Sequence, residues 1–252
     1  MDPMPLCNSL IDRWLAQAKS ALTTELFLKL ENGICNLAKI AAPVSAVVGA
    51  LILIVLAIKI DSLLMFIAAF GWVFTVILLY YIGSKLQQTC QVTLINNPSS
   101  IASQELLDVL TVTYGVLGIF AFFAGFYSAI KFSEPYLLVA GATICFLQIY
   151  AIWILMNPHL VTTHVEPSTS AGMDAISFLN LGNKMFLRTN KLLFGLLPAI
   201  AAIFLIKSLF RVFGDAAELA SSGLHGAIGF VLVAIGLIAP LLAYFAFILG
   251  YM

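Results

Sequence analysis

The chain alternates between long apolar blocks and short polar connections. Six blocks contain almost no charged residue, and they lie at positions 41–60, 63–82, 107–130, 136–156, 192–212 and 226–251. A helix of roughly 20 apolar residues crosses a hydrocarbon core about 30 Å thick. The blocks do not alternate apolar with polar residues, as the strands of a membrane barrel would. The pattern therefore predicts an all-α integral membrane protein with about six transmembrane helices, because helices satisfy their own backbone hydrogen bonds in lipid.

The polar connections group these helices into three hairpins. We expect amphipathic cytoplasmic or interfacial helices at 1–40, a first transmembrane hairpin at 41–84 and a cytoplasmic connection at 85–106. A second hairpin follows at 107–156, then a cytoplasmic loop and amphipathic helix at 157–191, and a third hairpin at 192–252. Asn-Pro pairs at 97–98 and 157–158 predict turns, because the residue before proline is pushed out of the helical region.

Two segments that precede hairpins are amphipathic. An N-terminal amphipathic helix is expected to be interrupted at Thr23 and Thr24. In the segment that follows, one helical face carries Leu26, Leu30, Gly33, Leu37 and Ile40. The charged residues Glu25, Lys29, Glu31 and Lys39 lie mostly on the other face. In the later segment, Phe178, Leu181, Met185 and Leu192 share a face, and Asn180, Asn183, Lys184 and Lys191 point away from it. Such helices lie in the membrane interface or pack against a partner subunit.

The same two segments raise the possibility of an internal repeat. "FLKLENGIC" at 27–35 and "FLNLGNKMF" at 178–186 match at several helical positions. Each is followed by a lysine, a proline and two predicted spans. The pattern fits a parallel duplication, and it fits equally a shared amphipathic lead-in that arose twice.

Composition and charge narrow the class of protein. The chain is 62% hydrophobic and 10% charged, against roughly 45–50% and about 25% in an ordinary soluble domain. The net charge of zero gives no indication of a nucleic-acid partner. A cytoplasmic N-terminus places eight of the twelve Lys and Arg residues inside, so both termini are predicted to be cytoplasmic. We expect the inner (cytoplasmic) membrane of a bacterium.

The sequence contains no recognisable catalytic or cofactor motif. The predicted span interiors carry no carboxylate and no histidine in a position to ligate haem. Nucleotide-binding and nucleophile motifs are absent, and the spacing of the four cysteines is not that of a metal site. His159, His164 and Glu166 lie close in sequence, but their spacing is not that of ligands on a helix. We therefore expect no catalytic residue, no metal, no cofactor and no enzyme activity.

Basic residues near the membrane boundaries are the candidates for contact with lipid or another anion. They are Lys207 and Arg211 on the fifth helix, together with Lys184, Arg188 and Lys191 before it. Lys207 and Arg211 either extend to the outer headgroups or bind a phosphate. Asp215 and Glu218 are expected to balance their charge.

Small residues spaced by four predict helix-packing faces. Ala121, Gly125 and Ala129 form one such face, and Ala239 and Ala243 form another. Membrane lipids are the expected partners, with either further copies of this chain or other membrane subunits. The first hypothesis is a non-catalytic structural or scaffold subunit of a larger membrane assembly. The alternative is a channel or facilitator for a small or lipid-like solute. A pore formed by an oligomer of this chain would agree with both hypotheses.

Overall fold

Long helices dominate the structure, a computed structural model that describes residues 13–18, 20, 22–101, 104–165, 171–214 and 216–251. Residues 13–18 are helical, and the long helices are α1 (Thr24–Lys59), α2 (Leu63–Asn96), α3 (Gln104–Phe132), α4 (Pro135–Met156), α5 (Ala171–Arg211) and α6 (Ala216–Tyr251). Six described helices are long and apolar enough to cross a membrane. The prediction of an all-α polytopic membrane protein is confirmed.

Four helices extend well beyond the spans predicted for them: α2 continues through part of the expected connection to Asn96, α6 begins at Ala216, and the extensions of α1 and α5 are the longest. α1 begins at Thr24 after a break at 22–23, as expected, and then continues without interruption through Pro43 to Lys59. α5 likewise continues through Pro198 to Arg211. A proline removes only one hydrogen bond from a helix, and a helix in lipid tolerates that loss when neighbours support it. The amphipathic segments are therefore extensions of the first and fifth spans.

The two tight hairpin turns share one backbone motif. Asp61 has φ 49°, and the N–H of Ser62 donates to the carbonyl of Ala57 at 3.0 Å. Ser133 has φ 54°, and the N–H of Glu134 donates to the carbonyl of Ala129 at 3.1 Å. This is the Schellman arrangement, in which a left-handed residue, most often glycine, ends a helix. Each motif ends its helix just before the next one begins.

A small parallel sheet joins two connections that the sequence predicted as turns and loops. β1 (Ser99–Ile101) pairs with β2 (Thr163–Val165), and Ser99 lies opposite Thr163. A 3₁₀ turn at Pro158–Val161 precedes β2. The side chain of Thr162 donates to the carbonyl of Leu94 at 2.6 Å. Backbone groups in these two segments are outside any α-helix and need other hydrogen-bond partners. They find them in each other, and the two short strands result.

The chain divides into two compact units. Unit 1 comprises Met1–Lys29 and Leu94–Met185, and unit 2 comprises Leu30–Thr93 and Phe186–Met252. In unit 1, α3 packs on α4, and the Phe27 ring stacks on Trp153 with centroids 5.0 Å apart. In unit 2, the apolar core draws on four helices: Ala38, Ala42, Ala46 and Ile52 of α1, Val76 of α2, Phe194, Ala201 and Leu205 of α5, and Val233 and Leu237 of α6.

Candidate functional site

The part of α1 that lies in unit 2 buries an acidic residue and exposes an apolar stripe. Glu31 is only 4% exposed, and it shares the buried face of the helix with Ala38 and Ala42. The opposite face carries Leu30, Gly33, Leu37 and Ile40, all of them exposed. We call these four residues the α1 outer stripe. The predicted apolar face is therefore correct, and Glu31 lies on the other face as expected, but that face is buried against α5.

Two cations from α5 hold the carboxylate of Glu31. Arg188 Nη2 lies 2.9 Å from Oε2, and Lys191 Nζ lies 2.9 Å from Oε1. Lys191 also donates to Asn32 Oδ1 at 2.8 Å. The side chains of Glu31, Arg188 and Lys191 are 5%, 11% and 15% exposed. We call these three residues the Glu31 cluster.

Burial makes the Glu31 cluster a constraint on the rotation of α1. Taking ions out of water costs several kcal/mol for each ion, so a buried charge persists only where opposite charges and hydrogen bonds compensate it. Turning α1 about its axis would separate the carboxylate from both cations. Close backbone contact supports the same arrangement, because a side chain on Gly195 would collide with the carbonyl of Ile34. The cluster therefore holds the outer stripe away from the core of unit 2.

Lys184 has a different environment, in unit 1. Its side chain is fully buried, and its ammonium donates to Ser99 Oγ at 2.8 Å and to the carbonyl of Thr162 at 3.3 Å. Ser99 Oγ lies 3.1 Å from Thr163 Oγ1. Lys184 thereby ties α5 to the first residues of the strand pair. The expectation that Lys184 faces away from the buried side of α5 is wrong.

The five lipid or anion candidates thus have different positions. Arg188 and Lys191 meet at Glu31, and Lys184 is bonded to neutral oxygens at the strand pair. Lys207 and Arg211 are half-buried near the other end of α5. Asp215, which was expected to balance them, lies outside the described residues, as does the side chain of Glu218.

Small residues lie at the helix contacts of both units. In unit 1, a Cβ on Gly125 would come within 2.7 Å of Gly141 Cα, and a Cβ on Gly141 would lie 2.8 Å from the Ala121 carbonyl. Ala129 is half-buried, and in unit 2 Ala239 and Ala243 are buried. Gly141 and Gly195 were not among the packing residues predicted from the sequence. Periodicity reveals a small residue, but the backbone it will face lies on another helix.

A cleft between α3 and α5 lies within unit 1. Its volume is about 230 Å³, and its lining comprises Leu110, Tyr114, Phe178, Leu179, Leu181, Gly182, Asn183 and Met185. Leu181 and Met185 are buried. A Cβ on Gly182 would have no other atom within 4 Å. The lining is mostly apolar, with a phenol and an amide as its polar groups, so the cleft suits an apolar ligand that carries few acceptors.

Neither metal ligands nor relatives assign a chemistry to these sites. In the described part of the chain, no group of three or more His, Cys, Asp or Glu residues could hold a metal ion. Comparison with protein-family models, curated proteins and solved structures finds no match for the chain.

Proposed function

We propose that the protein is a non-catalytic structural subunit of a larger membrane assembly, and that the α1 outer stripe is where another subunit docks. The observation that supports this proposal is the exposed apolar face of α1, which runs from the outer stripe to Ile58 and is longer than the hydrocarbon core of a bilayer is thick. The partner is an apolar helix of a different membrane subunit. In the predicted orientation, the docking segment lies on the cytoplasmic side of a bacterial inner membrane.

The length of the exposed face supports a protein partner over lipid alone. Exposed apolar residues continue from the outer stripe through Val47 and Leu51 to Ile58. From Leu30 to Ile58 the helix rises about 42 Å, against a hydrocarbon core about 30 Å thick. The whole face would fit within that core only at a tilt above about 40°, the upper end of the range for transmembrane helices. Part of the stripe therefore needs another apolar cover.

The composition of the stripe favours a helix as that cover. Gly33 lies between Leu30 and Leu37, and a Cβ built on it would meet no atom within 4 Å. Small residues at such positions let a second helix approach closely. Charged and amide side chains border the stripe, because Lys29, Asn36 and Lys39 are all exposed. A polar border around an apolar centre is the usual arrangement of a protein interface.

Photocrosslinking in native membranes tests the proposal. A benzophenone amino acid replaces Leu37 in the stripe, Lys39 on another face at the same depth, or Ile58 near the far end of α1. We expect position 37 to form a stoichiometric crosslink to one other protein, through a peptide from an apolar helix. Positions 39 and 58 should not form it.

A glycine pair provides the matched control. Gly33→Leu should abolish the crosslink from position 37, because it fills the gap that the partner helix needs. Gly71→Leu, on α2, also adds a side chain into open space and should leave the crosslink unchanged. Crosslinks from position 37 to lipid only, or to a second copy of this chain, would overturn the proposal of a different subunit.

A further inference from the structure

The cleft between α3 and α5 has the size and shape for part of a ligand. Leu181 and Met185, which are buried, line it together with Leu110, Tyr114 and Phe178. Its volume of about 230 Å³ lies below the roughly 300–1,000 Å³ that hold a whole small molecule. One flexible apolar chain fits such a space, with the remainder of the molecule outside.

The position of the cleft along α3 coincides with a membrane boundary. Lys131, near the far end of α3, lies 5.7 Å from the centre of the Tyr127 ring, as lysines do where helices leave the membrane. Leu110 lies on the same helix about 31 Å from Lys131 along the axis, which matches a hydrocarbon core about 30 Å thick. Leu110 and Tyr114 therefore lie at the opposite boundary, where lipid acyl chains join their polar groups.

The polar groups of the cleft select an uncharged acceptor. The lining contains no charged side chain. Tyr114 offers a hydroxyl and Asn183 an amide N–H₂, and within the described residues neither side chain has a hydrogen-bond partner. Both groups can donate, so a carbonyl oxygen satisfies them. A carboxylate or phosphate would lack a cation here.

We infer that this cleft binds one ester-linked acyl chain of a bilayer glycerolipid. The chain lies against Leu181, Met185 and Phe178, and the ester carbonyl accepts hydrogen bonds from Tyr114 and Asn183. Gly182 leaves the entrance open, because its missing side chain would project into unoccupied space. The exposed apolar residues Val109 and Leu117 lie on the same helix as Tyr114, so α3 presents a lipid-facing surface close to the cleft.

Lipid competition on the wild-type chain provides the first test. The full-length protein is reconstituted in nanodiscs with a trace of diacyl phosphatidylcholine that carries a diazirine in one chain, and labelled peptides are mapped after irradiation. We expect label on residues 178–185, with the exposed face of α2 around Phe70 and Phe74 as the reference for ordinary lipid contact. Unlabelled diacyl lipid should displace the cleft label about fivefold better than the dialkyl ether analogue, the factor expected for one lost hydrogen bond.

Two variants and a control complete the design. Gly182→Leu should remove most of the cleft label, and Tyr114→Phe should reduce the preference for the ester, while Gly71→Leu should change neither. Equal displacement by ester and ether lipids would overturn the assignment of an ester, as would displacement by free fatty acid at lower concentration than by diacyl lipid. Cleft label that persists in a folded Gly182→Leu protein would overturn the site itself.

Discussion

Lys184 and the pair Arg188 and Lys191 lie within two turns of one helix, yet they are used in different ways. In unit 2, Arg188 and Lys191 share one buried carboxylate, that of Glu31. In unit 1, Lys184 is buried against a hydroxyl and a backbone carbonyl, which are neutral oxygens. The comparison shows that the position of a basic residue on an amphipathic helix does not reveal which group its side chain will contact. Where a carboxylate faces the basic residue, the two form an ion pair. Where only neutral oxygens face it, the contact is a hydrogen bond.

Removing the charge of Glu31 should have the largest effect on stability. Glu31→Gln removes the carboxylate that two mostly buried cations share, so we expect a loss of about 3–5 kcal/mol in the free energy of unfolding. Denaturant unfolding in detergent micelles measures it. The control is Glu25→Gln on the same helix, where Glu25 and Lys29 form an exposed i,i+4 pair and the expected loss is below about 0.5 kcal/mol. Equal losses in the two variants would show that the Glu31 cluster stabilises the fold no more than an exposed ion pair does.

Removing one of the two cations should cost less. Lys191→Met leaves Glu31 paired with Arg188, so we expect a loss of about 1.5–3 kcal/mol, the range for a hydrogen bond to a charged group. The double variant with Glu31→Gln sharpens the result, because it leaves one cation without the Glu31 carboxylate instead of two. Its loss should be smaller than the sum of the two single losses. Additive losses would contradict the shared carboxylate.

Lys184→Met should be milder still. The methionine keeps most of the apolar volume, and the variant loses two hydrogen bonds without leaving a carboxylate among the bonds shown to Lys184. We expect a loss of about 1–1.5 kcal/mol, measured by the same unfolding experiment. A loss as large as that of Glu31→Gln would remove the distinction between the two regions.

The smallest effect should come from the hydroxyl next to Lys184. Thr163→Val removes the bond to Ser99 Oγ, which keeps its bond to Lys184. We expect a loss of about 0.5 kcal/mol. Hydrogen exchange of the β1 amides should quicken only slightly. A loss greater than that of Lys184→Met would mean that the hydroxyl pair, and not the lysine, holds the strands.

The sequence predicted most of the architecture, and the reason is the bilayer. Apolar blocks of about 20 residues are interpretable because lipid leaves few alternatives to a helix. The break before Thr24 and the face shared by Leu30, Gly33, Leu37 and Ile40 also agree with the structure. The possible repeat, the orientation and the scaffold hypothesis stay predictions.

The candidate sites were less predictable, because they depend on residues far apart in the chain. Glu31 meets Arg188 and Lys191 across separations of 157 and 160 positions. Ser99 and Lys184 are separated by 85. Helical periodicity assigns residues to faces, but it does not say which face meets another helix. The sequence placed Glu31 on the face opposite the apolar residues, but it gave no sign that this face would be buried.

The amino-acid sequence by itself determined that this is an all-α membrane protein, since the length and apolarity of each segment fix its state in lipid without reference to any other segment. The tertiary structure alone decided the rotation of those helices. It turned Glu31 inward and the α1 outer stripe outward, because two cations from α5 lie beside the carboxylate and stabilise it against the cost of burial. It also brought α3 beside α5 to form the cleft at Tyr114 and Asn183.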